Sequence, residues 1–290
     1  MRAVLAPALL LMGACSSAHQ ATTPEDAIMR QNAHAAGLAL SLDRPNEAIA
    51  QYKLALERAQ ARDDAAAIGD FGYDMAVAQL AANQPEKALA TVRTTRAELA
   101  RRGVSSFAAL DLAEATACYR IGDKGASDGL ARHVETGDDQ IAALRASFLR
   151  GLIADDSGDT VELDRAIAHL SSAASPEQQA DRDELLARRS LRQGASASAT
   201  ELAEHAADLR RDALDYRGMA RALAVAADAA ARGGRAQLAA DLYMRAGQSA
   251  AAQGDANAAR PWLQRAMQLS SDATMHQAVQ SALAALQPPR

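Results

Sequence analysis

The chain has 290 residues and a net charge of −5, with acidic and basic side chains interspersed along its length. No basic stripe follows a phosphate backbone, so we expect no nucleic-acid partner. Hydrophobic residues make up 49% of the chain but aromatic residues only 3%. Alanine, the strongest helix former, dominates the apolar fraction, and runs of strand-forming residues are missing. Composition therefore predicts an all-α protein.

The first residues have the pattern of an export signal. A positive start, Met1-Arg2, precedes an apolar stretch over 3–12 and the small residues Gly13-Ala14. Ten apolar residues are too few for a membrane-spanning helix, which needs about 20. The segment from Leu11 to Cys15 resembles the lipobox of bacterial lipoproteins, with Met12 where leucine is usual.

The lipobox resemblance implies a domain plan for the N-terminus. Residues 1–14 would be a lipoprotein signal peptide, and Cys15 would carry the lipid (palmitate) as the first mature residue. Residues 15–24 would be a lipidated tether. Ser16 stands where an inner-membrane retention signal has aspartate, so the resemblance implies an outer-membrane protein that faces the periplasm. The alternative is an ordinary signal peptide followed by a chance cysteine.

Seven turn signals punctuate the rest of the chain, and the first six lie 36 to 40 residues apart. They are Asp43-Arg44-Pro45, Asn83-Gln84-Pro85, Gly122-Asp123, Ser157-Gly158-Asp159, Gln193-Gly194, Gly233-Gly234 and Gly254-Asp255. Self-similarity at such a period is the signature of a helical solenoid, in which each unit packs on its neighbours. We therefore expect seven helix pairs over 25–286.

The predicted helices follow from these turns and from apolar spacing. The first begins with Thr23 as its N-cap and Pro24 at its first position, and ends near 42. The others cover 46–62, 63–82, 85–102, 105–121, 125–136, 138–156, 162–172, 176–192, 196–211, 212–232, 236–252, 256–269 and 272–286. The helix over 125–136 contains Gly125 and Gly129, which weaken it, so we expect it to open first.

Small and large residues recur at fixed positions of the pairs. One set is Tyr243, Ala246-Gly247, Gly254-Asp255, Ala259, Leu263 and Ala266-Met267, and another is Ala35-Ala36, Asp43, Ala48, Tyr52 and Ala55-Leu56. This pattern resembles the tetratricopeptide repeat, in which the small residue lets two helices cross and the large one fills the gap. The resemblance implies a right-handed solenoid of antiparallel helix pairs, with helices longer than usual. A generic array of helical hairpins is the alternative.

Motifs for catalysis or cofactor binding are missing from the sequence, so we expect no enzyme and no cofactor. Glu201 and His205 are possible ligands at helical spacing, but a zinc site needs three or four. We interpret them as a surface ion pair and expect no metal. Cys118 has no cysteine partner if Cys15 is lipidated, and is interpreted as a small apolar residue.

A concave groove is the most promising binding surface, because in the resembled family the first helix of each pair lines it. Counting back from each turn places these residues there: Arg30, Asp70, Tyr73, Leu112, Tyr119, Arg120, Arg145, Phe148, Asp156, Glu184, Arg188 and Arg221. Of these, Tyr73, Tyr119, Arg120, Arg145, Phe148 and Arg188 are the predicted partner-binding residues, since aromatics beside arginines form interface hot spots. The alternative is that the three aromatics fill gaps between repeats. The arginine run Arg210, Arg211, Arg217 and Arg221 is interpreted as a solvated helix face.

The predicted function is that of a lipid-anchored scaffold in the outer membrane, which binds a protein or peptide of the cell envelope during envelope assembly. The alternative is a small-molecule or glycan-binding regulator of cell-wall enzymes. A row of aromatics along the groove would favour a peptide, whereas a single deep pocket with few polar groups would favour a small ligand.

Overall fold

A computed structural model describes residues 26–105 and 108–286, and this part of the chain consists of helices and short turns without strands. The helices are α1 Ala27–Ser41, α2 Pro45–Ala61, α3 Ala65–Ala81, α4 Pro85–Arg101, α5 Ala108–Arg120, α6 Lys124–Glu135, α7 Gln140–Ser157, α8 Thr160–His169, α9 Pro176–Arg192, α10 Ser196–Asp212, α11 Tyr216–Arg232, α12 Ala236–Ala252, α13 Ala256–Leu269 and α14 Ala273–Ala285. A 3₁₀ turn, Leu170–Ser172, follows α8. The predicted all-α array of seven antiparallel helix pairs is confirmed.

Ten of the turns between these helices have the same backbone conformation and the same hydrogen bond. A residue in the left-handed conformation follows the helix, and the next N–H donates to the carbonyl five residues back, as Asp255 does to Ala250 at 2.9 Å. This is the Schellman arrangement, which satisfies the last carbonyls of a helix. Glycine takes the left-handed position in six turns, and the others use Asp43, Asp63, Asn83 and Leu214. Tight, repeated turns make consecutive helices antiparallel.

Aspartates start most of the helices by accepting hydrogen bonds from the first free N–H groups. Asp26 caps α1, where its carboxylate accepts from the N–H groups of Ile28 and Met29 at 3.1 and 3.0 Å. The predicted N-cap Thr23 is therefore wrong for this helix, and Thr23 itself lies outside the described residues. The signal peptide 1–14 and the tether 15–24 lie outside them as well.

Each helix packs against the helices before and after it, and the odd-numbered helices from α3 to α11 also form a layer of their own. In that layer α3 contacts α5, α5 contacts α7, α7 contacts α9, and α9 contacts α11. These five helices therefore line up side by side and present one shared surface. Among the helices described, none has both the length and the apolar content that a bilayer span requires.

Small residues let the helices approach closely, as the repeat pattern predicts. Gly247 in α12 faces Leu263 in α13, and a Cβ atom on Gly247 would lie 2.6 Å from Leu263 Cγ. In the first pair, Ala36, Ala48 and Tyr52 are buried in one apolar cluster. Over the described residues the core is a series of apolar clusters along the array, of which the largest extends from α9 to α14.

Candidate partner-binding pocket

An open pocket of about 460 Å³ brings together helices that are far apart in sequence. Its walls come from the α3–α4 turn, the end of α5, one face of α11 and the turn between α12 and α13. The lining residues are Asn83, Pro85, Glu86, Tyr119, Arg120, Arg217, Ala220, Arg221, Ala250, Gln253, Asp255, Asn257, Ala258 and Trp262. Three guanidinium groups and two aromatic rings therefore converge on one space.

The three arginines differ in how their charges are matched. Arg217 donates to the Asp255 carboxylate at 2.5 Å, and Arg221 donates to both oxygens of Glu184 at 2.7 and 3.0 Å. Arg120, the last residue of α5, donates instead to the carbonyl of Leu80 at 2.6 Å, which is a neutral partner. Burial, together with the charges of Arg217 and Arg221, lowers the pKa of Arg120 to about 10. It remains charged at neutral pH.

Two aromatic side chains border the arginines. Tyr119 is half-buried, and its hydroxyl donates to Asp156 Oδ2 at 3.2 Å. Burial, and then the negative charge of Asp156, raises the pKa of Tyr119 to about 12, so the phenol stays neutral. Trp262 on α13 is half-buried and packs against a buried apolar cluster that includes Leu242 and Leu263. Each of these two rings is thus partly packed against the protein and partly exposed to the pocket.

A buried charge cluster supports Arg221 from behind. Glu184 on α9 is fully buried and accepts hydrogen bonds from Arg188, Arg210 and Arg221. Although burial would raise the pKa of Glu184, the three arginines hold it well below its usual range. The Phe148 ring lies against two of these guanidinium groups, with the Cζ atoms of Arg210 and Arg221 at 5.2 and 5.3 Å from its centroid. The cluster fixes the direction of Arg221.

The six predicted partner-binding residues are divided between three environments. Tyr119 and Arg120 line the pocket. Phe148 and Arg188 belong to the buried charge cluster around Glu184. Tyr73 is half-buried against the apolar cluster that α2, α3, α4 and α5 form together, and Arg145 is exposed and lines no part of the pocket. The three predicted aromatics therefore do not line the pocket together, and one of them is covered by arginines.

The interpretation of the arginine run as a solvated face is wrong for three of its four members. Arg210 is only 6% exposed and bonds to Asp181, Glu184 and Asp215, while Arg217 and Arg221 line the pocket. Only Arg211 is exposed. Trp262 was not among the predicted site residues, although it is the single tryptophan of an aromatic-poor chain.

One cluster of titratable groups has the composition of a catalytic triad without its geometry. Glu135 Oε1 accepts from Ser147 Oγ at 2.6 Å and lies 2.9 Å from His169 Nδ1, and Ser147 Oγ lies 3.3 Å from the same nitrogen. A relay needs the nucleophile and the acid on opposite ring nitrogens. Ser147 is also 1% exposed, so no substrate reaches it. This cluster holds α6, α7 and α8 together.

The predicted ion pair between Glu201 and His205 is not formed, because His205 Nδ1 instead pairs with Asp183 Oδ2 at 2.8 Å on the neighbouring helix. Cys118 is buried with a free thiol. Over the described ranges, no group of three or more His, Cys, Asp or Glu side chains is arranged to hold a metal ion.

No protein-family model and no curated protein matches the chain. Among solved structures, it is similar to a tetratricopeptide repeat protein from Parabacteroides merdae ATCC 43184, at 12% identity over 89% of this chain and 98% of that chain, with a TM-score of 0.48. The C-terminal part of a TPR repeat-containing protein from Cytophaga hutchinsonii is similar at 14% identity, over 90% and 96%, with a TM-score of 0.41. The TPR2AB domain–pHSP90 complex of yeast Sti1 is similar at 13% identity, over 89% of this chain and 98% of that chain, with a TM-score of 0.34. At these values the likenesses carry no functional inference, and the description of the fold rests on this chain's own helices.

Proposed function

We propose that this protein is a helical scaffold that holds a segment of a partner protein in the pocket between α5, α11 and α13. The observation that carries the proposal is the convergence of Tyr119, Trp262 and three arginines on one open cavity of about 460 Å³. Aromatic side chains and arginines supply most of the binding energy in protein interfaces, because they combine a large contact area with hydrogen bonding.

The lining of the pocket favours a peptide segment over a small molecule. Its volume lies within the range of small-molecule sites, which keeps such a ligand as the second candidate. Small-molecule sites are mostly apolar with a few polar groups, whereas five charged side chains border this cavity: Glu86, Arg120, Arg217, Arg221 and Asp255. An open, highly charged site between helices suits an extended polar chain.

We further propose that the scaffold works at the outer membrane, facing the periplasm, in the assembly of the cell envelope. Support comes from the resemblance of Leu11 to Cys15 to a lipobox, and from Ser16 after the cysteine. A diacylated or triacylated residue provides the two membrane signals that stable anchoring needs. Replacement of the thiol, Cys15→Ala, should release the protein from membranes. Retention of the variant in the outer membrane after a salt wash would refute the lipid anchor.

Site-specific photo-crosslinking tests the pocket directly. A photoreactive amino acid replaces Asn257, which is exposed and lines the pocket, or Lys53, which is exposed on α2 outside it. In cells that express the full chain, we expect the position 257 probe to form an adduct with one envelope protein, mapping to one segment of it. The position 53 probe is the matched control. Equal labelling from both positions, or none from position 257, would overturn the scaffold proposal.

A further inference from the structure

The charges around the pocket leave one positive group without an anionic partner. Arg217 is paired with Asp255, and Arg221 is paired with Glu184. Arg120 forms no ion pair with any carboxylate of the described residues, and its hydrogen bond goes to the Leu80 carbonyl. A guanidinium group has five N–H donors, so most of the donors of Arg120 remain available to a ligand.

We propose that Arg120 binds one carboxylate of the partner segment, and that Tyr119 and Trp262 hold the apolar groups next to it. This inference rests on the proposed function and specifies which chemistry the pocket recognises. A guanidinium group binds a carboxylate through two parallel hydrogen bonds, which fixes orientation as well as charge. The ligand is therefore an acidic side chain with apolar neighbours, within an extended segment that the open pocket admits.

The electrostatics of the pocket favour a single negative charge. The carboxylate of Glu86 stands exposed at the rim, at the start of α4, and Asp255 lies on the opposite wall. Because both are negatively charged, they repel a dianion such as phosphate more strongly than a single carboxylate. Among the described residues, Arg120 is the one lining arginine without an ion pair to offset that repulsion. Burial, and then the charges of Arg217 and Arg221, lowers the pKa of Arg120, and Asp255 only partly opposes this shift. A bound carboxylate relieves the repulsion among these arginines.

The experiment uses Trp262, the single tryptophan of the chain, as a fluorescent reporter in the pocket. The full chain is titrated with acetyl-Leu-Glu-Leu-amide, with its glutamine counterpart, with acetyl-Leu-Gln-Leu carrying a free C-terminal carboxylate, and with inorganic phosphate. We expect saturable binding of acetyl-Leu-Glu-Leu-amide, at least about tenfold tighter than binding of its uncharged glutamine counterpart. Preferential binding of the peptide with the free C-terminal carboxylate would place a chain end in the pocket and would also overturn the inference. Tighter binding of phosphate, or equal binding of the uncharged peptide, would overturn the inference.

Two variants link the binding to the proposed contacts. Arg120→Gln should weaken carboxylate binding roughly tenfold or more, whereas Arg211→Gln on the exposed surface of α10 should leave it unchanged. Because Arg120 also bonds to Leu80, loss of binding counts only if the melting temperature is preserved.

Glu86→Gln provides an independent readout, since it alters an exposed side chain and should tighten carboxylate binding about two- to fivefold. Unchanged or weaker binding in that variant would contradict the inference. Crosslinking from position 257 without carboxylate binding would refute this inference alone.

Discussion

Leu214 occupies the left-handed backbone conformation, with φ at 59°, that nine other turns assign to glycine, aspartate or asparagine. A leucine pays a steric penalty there because its Cβ approaches the following carbonyl. Its side chain is 57% exposed, so little packing offsets the penalty. We expect Leu214→Gly to stabilise the fold by about 0.5–1 kcal/mol, after the larger entropy of glycine in the unfolded chain is counted.

The reverse change at an equivalent turn is the control for Leu214. Gly254 has φ at 70°, and a Cβ added there would meet no atom within 4 Å. Gly254→Ala should therefore lose about 1 kcal/mol through backbone strain alone. Both free energies of unfolding come from denaturant titration. A neutral or destabilising Leu214→Gly would show that the leucine makes contacts that outweigh the strain.

The carboxyl group of Asp181 ionises less readily in the folded protein than in the unfolded chain. Burial, and then the charge of Glu184, raises its pKa from the usual 3.8 to about 6, although Arg210 donates to it at 2.7 Å. A raised pKa means that the stabilising contribution of the neutral acid is complete below about pH 4 and is lost as pH rises through 6. Asp181→Asn should thus match the wild type near pH 4 and exceed its stability by about 1–3 kcal/mol at pH 8.

The stability of Asp181→Asn is measured by denaturant unfolding at both pH values. Asp208→Asn, at an exposed carboxylate on the next helix, serves as the control for removing one negative charge. A gain that is the same at pH 4 and pH 8 would contradict the linkage to the ionisation of Asp181.

At the scale of the helices, most of the fold follows from local sequence. Gly, Asn and Asp at turn positions predicted the breaks between helices, because these residues accept the left-handed conformation at low cost. The α10–α11 turn lacked that signal, since Leu214 stands in its place, and the predicted start of α11 at 212 is consequently four residues early. Membership of the tetratricopeptide family remains a prediction.

Two glycines inside helices should respond in opposite ways to the same substitution. Gly151 in α7 packs against α8 and α9, and an added Cβ would lie 2.3 Å from Leu185 Cδ1 and 3.1 Å from Ala166 Cβ. Gly151→Ala should therefore cost about 1–3 kcal/mol by overpacking. Gly129 in α6 has no neighbour within 4 Å of such a Cβ, so Gly129→Ala should gain up to about 1 kcal/mol of helix propensity.

Hydrogen exchange checks the same glycine pair at the level of single helices. We expect α6 to exchange first in the wild type, because two of its twelve residues are glycine. Gly129→Ala should slow exchange over 124–135 and leave the other helices unchanged. Slow exchange of α6 in the wild type, relative to its neighbours, would contradict the predicted weakness of this helix.

At the scale of the whole molecule, the pocket could not be predicted from the sequence. Arg120 and Trp262 are 142 residues apart, and they meet through the accumulated curvature of the array, which depends on small rotations between successive helix pairs. The arginines were misassigned for a related reason. The pattern of its own helix predicts Arg210 at the surface, whereas three carboxylates on neighbouring segments, those of Asp181, Glu184 and Asp215, make its burial favourable.

The charge cluster around Glu184 ties a limited set of helices together, and this limits how far its loss should spread. Its arginine partners lie on α9, α10 and α11, and Arg188 extends the cluster to Asp155 on α7 at 2.9 Å. Glu184→Gln removes the central negative charge and leaves three guanidinium groups with too little counter-charge. Breaking a buried ion pair in this way costs about 3–5 kcal/mol.

In an array whose units contact only their neighbours, that cost should remain local. For Glu184→Gln we expect hydrogen exchange to accelerate over 140–232 while α1 and α2 keep their wild-type protection. The control is Glu201→Gln, at an exposed position of α10, which should change the exchange of neither region. A uniform acceleration over the whole chain would mean that the helix pairs unfold as one cooperative unit. In that case a ligand in the pocket would stabilise every helix equally, whereas local unfolding would confine its protection to the helices that line the pocket and their neighbours.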